Sequence, residues 1–197
     1  MLLSISFHRE LQLQQSLKKN TIRKFIKINM SSVNIHDVFV PMYIRALQNT
    51  AYILTKGAAY TKANGIPEPE VLNWRLAPDM NPLIFQVQNI CNIAKNLIVV
   101  VAGTSLPTSA NNETSFAELQ ARITSTIELL QKTTREQFEG RDQANVTVRE
   151  LGYRMKGIEY VQEFGVPNFY FHNSMVYALF RGHGAPIGKW DYLRGGN

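Results

Sequence analysis

From Leu83 to Val101 the chain places apolar side chains at Leu83, Val87, Ile90, Cys91, Ala94, Leu97, Ile98 and Val101. Steps of three and four return to one side of an α-helix, so this segment reads as a helix with a single buried face. Pro82 suits its first turn, Asn81 its cap and Gly103 its stop. From Leu97 to Ala102 every residue is apolar, which predicts a deeply buried end. A rod of this kind, roughly 30 Å long at ~1.5 Å per residue, cannot bury its stripe alone and demands partner helices.

The partners are present. Residues 37–63 carry Val40, Ile44, Leu47, Ala51, Leu54 and Ala58 at helical spacing, with Pro41 in the first turn and Asn64-Gly65 at the end. Ser115-Phe-Ala-Glu118 is a capping box that opens a third helix on Phe116, Leu119, Ile123, Ile127 and Leu130. Thr134 to Gln137 caps one further short turn. Residues 145–156 alternate apolar and polar side chains around Gly152, a β-hairpin signal. A last helix begins near Gly157 or after Pro167 and runs to about Arg181. Pro67, Pro69 and Pro78 make 66–81 a connector with one helical turn near Glu70–Trp74, and Ile187–Leu193 is a tail that lays Trp190 and Tyr192 on the body. The expected fold is all-α: a four-helix bundle with long crossover connections, 66–81 and 138–157, and a small β-hairpin before the last helix.

The net charge of +6 invites a nucleic-acid reading, but its placement argues against one. Residues 1–30 hold six basic side chains and one acid, which leaves fifteen basic and fourteen acidic for residues 31–197, a net +1. A reader of phosphate needs its basic patch on the folded body. Residues 1–33 are therefore set apart as a basic extension, disordered or transit-peptide-like, with the bundle at 34–197. Met30-Ser31-Ser32 also reads as an initiation context, which would put the first 29 residues outside the translated protein. The expected location is the cytoplasm, or the mitochondrion if the extension is a transit peptide. There is no uninterrupted run of ~18 uncharged apolar residues, so no membrane partner is expected.

Few residues stand out chemically. His172 shares a stripe with Phe169, Val176 and Leu179, which turns its imidazole inward, and Asn168 lies one turn before it. Two readings stand: a hydrogen-bonded core histidine, or a ligand or acid/base group whose burial keeps the ring neutral. Gln86 and Gln88 lie near the buried edge of the second helix, as pocket amides or as surface ones. Asp79, after Pro78, reads as a carboxylate at a helix N-terminus or as a pocket residue. Cys91 is the only cysteine and sits in an apolar stripe, so it reads as inert core.

Arg75-Leu-Ala-Pro-Asp-Met80, Phe85-Gln-Val-Gln88, the block from Asn112 to Ile123, Pro167-Asn-Phe-Tyr-Phe-His172 and Tyr177-Ala-Leu-Phe-Arg181 resemble, in order, a domain-of-unknown-function family of the DinB/YfiT-like superfamily. The resemblance covers about residues 34–195. It implies a four-helix bundle, frequently a homodimer, with a pocket at one end. Metal-binding members hold their ion with one histidine on the second helix and a His-x-x-x-His pair on the last. Carried onto this chain, His172 matches the second of that pair, Asn168 falls at the first, and the second-helix ligand falls near Gln86 or Gln88. Amide oxygens are poor zinc ligands beside imidazole. The set suits a weakly held Zn, Ni or Mn ion, with His172 as its one imidazole, or a hydrogen-bonded pocket.

Three functions follow as expectations. The first is a small-molecule pocket protein, or a vestigial metal-dependent enzyme of the thiol-transferase kind that the resemblance implies. Its site would comprise His172, Asn168, Gln86, Gln88 and Asp79. The second is a non-catalytic dimeric scaffold. The third, nucleic-acid binding, is disfavoured by the charge distribution.

Overall fold

The computed structural model describes residues 34–148 and 152–196. The expectations for residues 1–33, and for Arg149 in the hairpin turn, lie outside them. The elements in order are α1 (Ile35–Ala63), a short α2 (Glu68–Leu72), α3 (Leu83–Asn96) and α4 (Phe116–Gln131). A 3-10 turn (Arg135–Phe138), strands β1 (Asn145–Val148) and β2 (Tyr153–Lys156), α5 (Gly157–Glu159), α6 (Val166–Gly182) and α7 (Lys189–Arg194) follow. A π-helical turn extends α3 over Leu97–Ala102, and another joins α5 to α6 over Tyr160–Gly165.

The four long helices form the expected bundle. Helix α1 packs on α4 and α6, and α3 packs on the same two, so α1 and α3 sit diagonally opposite. Contacts along their lengths fix the directions. Tyr43 meets Phe169 while Tyr60 donates to the His183 carbonyl, so α1 and α6 run parallel. Asn34 meets Arg135 and Gln120 meets Ala51, so α4 is antiparallel to α1. Gln86 meets His172 and Val101 lies by Gly157, so α3 is antiparallel to α6. The order is up-down-down-up. The connections 64–82 and 132–156 therefore cross the ends of the bundle diagonally. Because α3 and α4 point the same way, the chain must return along the bundle between them. Residues 103–114 make that return as an extended strap on α3. Lys95 Nζ donates to Ser109 Oγ (2.7 Å), Asn92 Nδ2 to Asn111 Oδ1 (3.3 Å) and Gln88 Nε2 to Glu113 Oε2 (2.9 Å).

Local chemistry explains most boundaries. Asn34 caps α1 by accepting from the His36 amide, two residues before the expected start. Ser115 caps α4 by accepting from the Glu118 amide, while Glu118 reaches back to Thr114. The hairpin pairs Asn145 with Lys156 and Val148 with Tyr153, as its alternation predicts. The last helical stretch begins at Gly157, not after Pro167. The π-helical turn just ahead of Pro167 is what lets a proline sit in it: the widened turn gives the ring room and interrupts the hydrogen-bond ladder where the N–H is missing.

Four details differ from expectation. Pro82 occupies the cap position of α3 rather than its first turn, and Asn81 serves through its carbonyl, which accepts from Gln86 Nε2 at 2.8 Å. The Leu97–Ala102 end is not buried all round, since Val99 is 39% exposed. The buried face of α1 is rotated: Tyr43, Leu47, Thr50, Leu54, Gly57 and Thr61 face the core, and Ile44, Ala51 and Ala58 lie half-buried at its edge. Thr50, Gly57 and Thr61 are invisible to an apolar count, yet Gly57 is required there: a Cβ would come within 2.2 Å of the Phe180 ring. The tail forms α7, with Trp190 largely exposed beneath Arg194 and Tyr192 packed against Tyr177.

The stretch Leu83–Ala102 is long and apolar enough to cross a membrane, which a search for uncharged runs overlooks. In the bundle it is a core helix. Its apolar stripe is buried, and Gln86, Gln88, Asn89 and Lys95 on it are bonded to other parts of the chain.

Candidate functional site

Gln86 lies in the first turn of α3, and His172 projects toward it from α6. Gln86 is 2% exposed. Its amide nitrogen donates to the Asn81 carbonyl, an atom that can only accept. Its oxygen must then face His172 Nδ1, 2.7 Å away, so Nδ1 carries the proton and donates. His172 Nε2 keeps the lone pair and accepts from Asn89 Nδ2 at 2.6 Å. One backbone carbonyl thus sets the tautomer of an imidazole two hydrogen bonds away. Burial holds the His172 pKa below its ordinary value, in keeping with this neutral form. The rings of Phe85 and Phe171 stand edge-on to the imidazole at 5.9 and 5.1 Å between centroids, and the imidazole itself remains half-buried.

The other expected site residues are not gathered here. Asn168 is half-buried one turn before His172 and makes no hydrogen bond to it. Asp79 is exposed in the turn ahead of α3 and caps no helix. Gln88 is buried, as Gln86 is, so neither is a surface amide, but Gln88 points away from His172. The two differ by two residues, about 200° around a helix, and so cannot share a target.

Gln88 belongs to a second cluster, centred on Arg122 of α4. The Arg122 guanidinium is buried and donates to Glu113 Oε1 (2.6 Å), Asn92 Oδ1 (2.7 Å) and Asn111 Oδ1 (2.6 Å). Burial alone would raise the Glu113 pKa. The hydrogen bonds from Arg122 and Gln88 outweigh it and hold the carboxyl below its usual range. Burial and the nearby Arg122 charge lower the pKa of Lys95. A cleft of about 500 Å³ lies along the strap here, lined by Lys95, Ser109, Glu113, Arg122 and their neighbours. The arrangement fastens the strap: a desolvated arginine holds three strap and helix side chains at once. Cys91 is fully buried and its thiol is pushed up to about 11, first by burial, which fits an inert core residue.

The metal that the resemblance implies does not fit these donors. With Nδ1 a donor, His172 offers a metal one nitrogen, Nε2, and the side chains bonded to the ring, Gln86 and Asn89, bring only amides. Among the described residues no group of three or more His, Cys, Asp or Glu side chains is placed to hold an ion.

The model of one domain-of-unknown-function family, DUF1993, matches residues 35–193. The chain belongs to the DUF1993 family. Among solved structures, this DUF1993 chain is similar to a DinB family member protein from Shewanella denitrificans. The two share 31% identity over 81% of this chain and 91% of the other, at a TM-score of 0.77. The DinB-like bundle fold is therefore shared with a DinB family protein, in agreement with the sequence resemblance. A search of the curated proteins gives no match for the chain.

Asn89 and the Arg122–Glu113 pair escaped the sequence reading. Asn89 had a signal: it lies three residues after Gln86 and so shares its face. Arg122 had one too, as a charged residue between Leu119, Ile123 and Thr126 on a buried stripe.

Proposed function

We propose that this DUF1993 chain is a small-molecule-binding bundle protein whose imidazole site recognises its ligand by hydrogen bonding rather than through a metal ion. One observation carries the reading: His172 holds one bond that is locked and one that can be exchanged. The bond to Gln86 is made to a buried amide that is itself anchored on a backbone carbonyl. The bond to Asn89 comes from a half-buried amide at a half-buried ring. A ligand N–H or O–H can replace that amide on Nε2, with its apolar body against Phe85 and Phe171. The ligand class is a small, neutral molecule with one donor and a flat apolar part. The neutral imidazole would serve as acceptor, and a proton-transfer role at the same atom is the enzymatic extension of this reading.

The test is NMR of the ring nitrogens of His172 in the full chain, with benzamide and phenol as probes. Binding should move Nε2 and leave Nδ1 protonated, and a His172→Gln variant should lose the response. Zinc added at equimolar ratio should leave both nitrogens unmoved. A zinc-induced shift restores the metal reading.

A dimeric, non-catalytic scaffold is the second reading, favoured by both ring nitrogens being bonded within the chain. It holds if neither probe moves His172 at millimolar concentration and sedimentation equilibrium gives a dimer.

A further inference from the structure

A concave site lies between α1, α6 and α7. It is a cleft of about 350 Å³, and Pro41, Met42 and Leu193 give it an apolar wall. Arg45, Asn49, Tyr170, Asn173 and Tyr192 supply its polar groups; Asn49 Nδ2 donates to the Tyr192 carbonyl and the Tyr192 hydroxyl pairs with Ser174. That size and mixture are those of a small-molecule pocket, where a few polar groups orient an apolar body.

Arg45 is the one charged side chain in the lining of the cleft. Arg45 is exposed at the rim and forms no ion pair or hydrogen bond with a described residue. A neighbouring cleft of about 380 Å³ shares Arg45, Asn49 and Leu193 and adds Arg194. No acid lines either cleft. Asp191, the acid on α7, is already engaged by Lys56 at 2.9 Å. At the floor, Asn173 is 2% exposed. Asn173 Oδ1 accepts from the Thr50 hydroxyl, which also reaches the Ala46 carbonyl. Asn173 Oδ1 is therefore an occupied acceptor, and its Nδ2 is left with no hydrogen bond to a described residue. Burial keeps the Tyr170 hydroxyl protonated well past neutral pH, so it too is a donor. An unbonded amide N–H of a largely buried asparagine, a phenol and an exposed guanidinium border one apolar-walled space.

We infer that this cleft binds a small organic carboxylate with an apolar body, its carboxylate on Arg45 and the Asn173 amide and its body along Pro41, Met42 and Leu193. Guanidinium and amide N–H groups bind a carboxylate by charge-assisted hydrogen bonds, and an alcohol or amine of the same length cannot use them in the same way. The site shares no lining residue with the His172 network, so the inference stands whether or not the reading of His172 does.

Calorimetric titration of the full chain with octanoate, octanol and octylamine tests it. Octanoate should bind at least about tenfold more tightly than the other two. R45Q should remove that preference and leave octanol unchanged. Octanoate should also shift the side-chain NH2 signals of Asn173 in the NMR spectrum. N173D keeps the acceptor for Thr50 but places a negative charge in the cleft, and it should abolish octanoate binding. Met42→Trp, which fills the cleft, should block all three probes. Equal affinity for octanoate and octanol overturns the inference. So does an R45Q variant that binds octanoate like the parent, or a dimer whose interface buries Arg45.

Discussion

His172 Nδ1 donates to Gln86 Oε1 at 2.7 Å, and that bond settles the protonation of the whole network. Replacing Gln86 by Glu would set a carboxylate against the same nitrogen. An adjacent negative charge favours imidazolium, so Gln86→Glu should raise the His172 pKa from its depressed value to above the ordinary one near 6.5. An NMR titration of the His172 ring reads this. A pKa that stays low would mean the amide and the ring are not in contact.

The depressed pKa has a consequence for stability. The unfolded chain takes up a proton at His172 near pH 6.5, while the folded chain does so only at lower pH. The stability from this site is thus complete above about pH 6.5 and is lost as pH falls through the folded pKa. Urea midpoints between pH 7.5 and 5 should fall for the native chain and fall less for His172→Gln. Parallel curves would remove His172 as the cause. The paired carboxylate Glu113 titrates below its usual range and acts at lower pH.

Arg122 and Glu113 are 2.6 Å apart with both side chains largely shielded from water. Arg122→Met leaves the Glu113 carboxylate without its partner and should cost about 3–5 kcal/mol. In Arg122→Met/Glu113→Gln the stranded charge is gone, so the double variant should be less destabilised than the sum of the single ones. Chemical denaturation of the four proteins completes the cycle. An additive result would show that the strap is held by its other bonds.

Gly57 faces the Phe180 ring at a distance no Cβ tolerates. Gly57→Ala should destabilise by about 1–3 kcal/mol despite its better helix propensity, because overpacking outweighs propensity here. Phe180→Leu should recover part of the loss when combined with it. Thermal unfolding measures both. A neutral or stabilising Gly57→Ala would place the ring elsewhere.

Cys91 lies in the centre of α3 with its thiol pushed up to about 11 by burial. It should react with an aromatic disulfide reagent at pH 8 only when the chain unfolds, since the thiolate is the nucleophile. Rapid labelling of the native protein would show that the core opens there.

The legible parts of the fold share a cause. Every position of the α3 stripe expected to be buried is buried, because each is apolar and packed between α4 and α6. The cap at Ser115, the short turn after Thr134 and the hairpin are local too, resolved within four to twelve residues. Apolar spacing alone rotates the face of α1, because Thr50 and Gly57 are buried for reasons that belong to another helix: a bond to Asn173 and the ring of Phe180. The start of the last helix was ambiguous because Pro167 normally ends a helix, and only the widened turn before it resolves the conflict.

The candidate site divides the same way. That His172 turns inward could be read from spacing, since a helix with 3.6 residues per turn assigns faces without reference to its neighbours, whereas a glutamine of the second helix, Gln86 or Gln88, came near it only through the family resemblance. The exclusion of Gln88, Asn168 and Asp79, the entry of Asn89, and the Arg122 fastening all came from tertiary structure. Which residue of one helix meets which residue of another depends on their crossing and offset, set by packing across 80 or more positions of sequence separation. Periodicity within a segment determined the helices and their apolar faces. The diagonal order of those helices and the strap that order requires decided which polar groups meet, and with them the chemistry this chain has available.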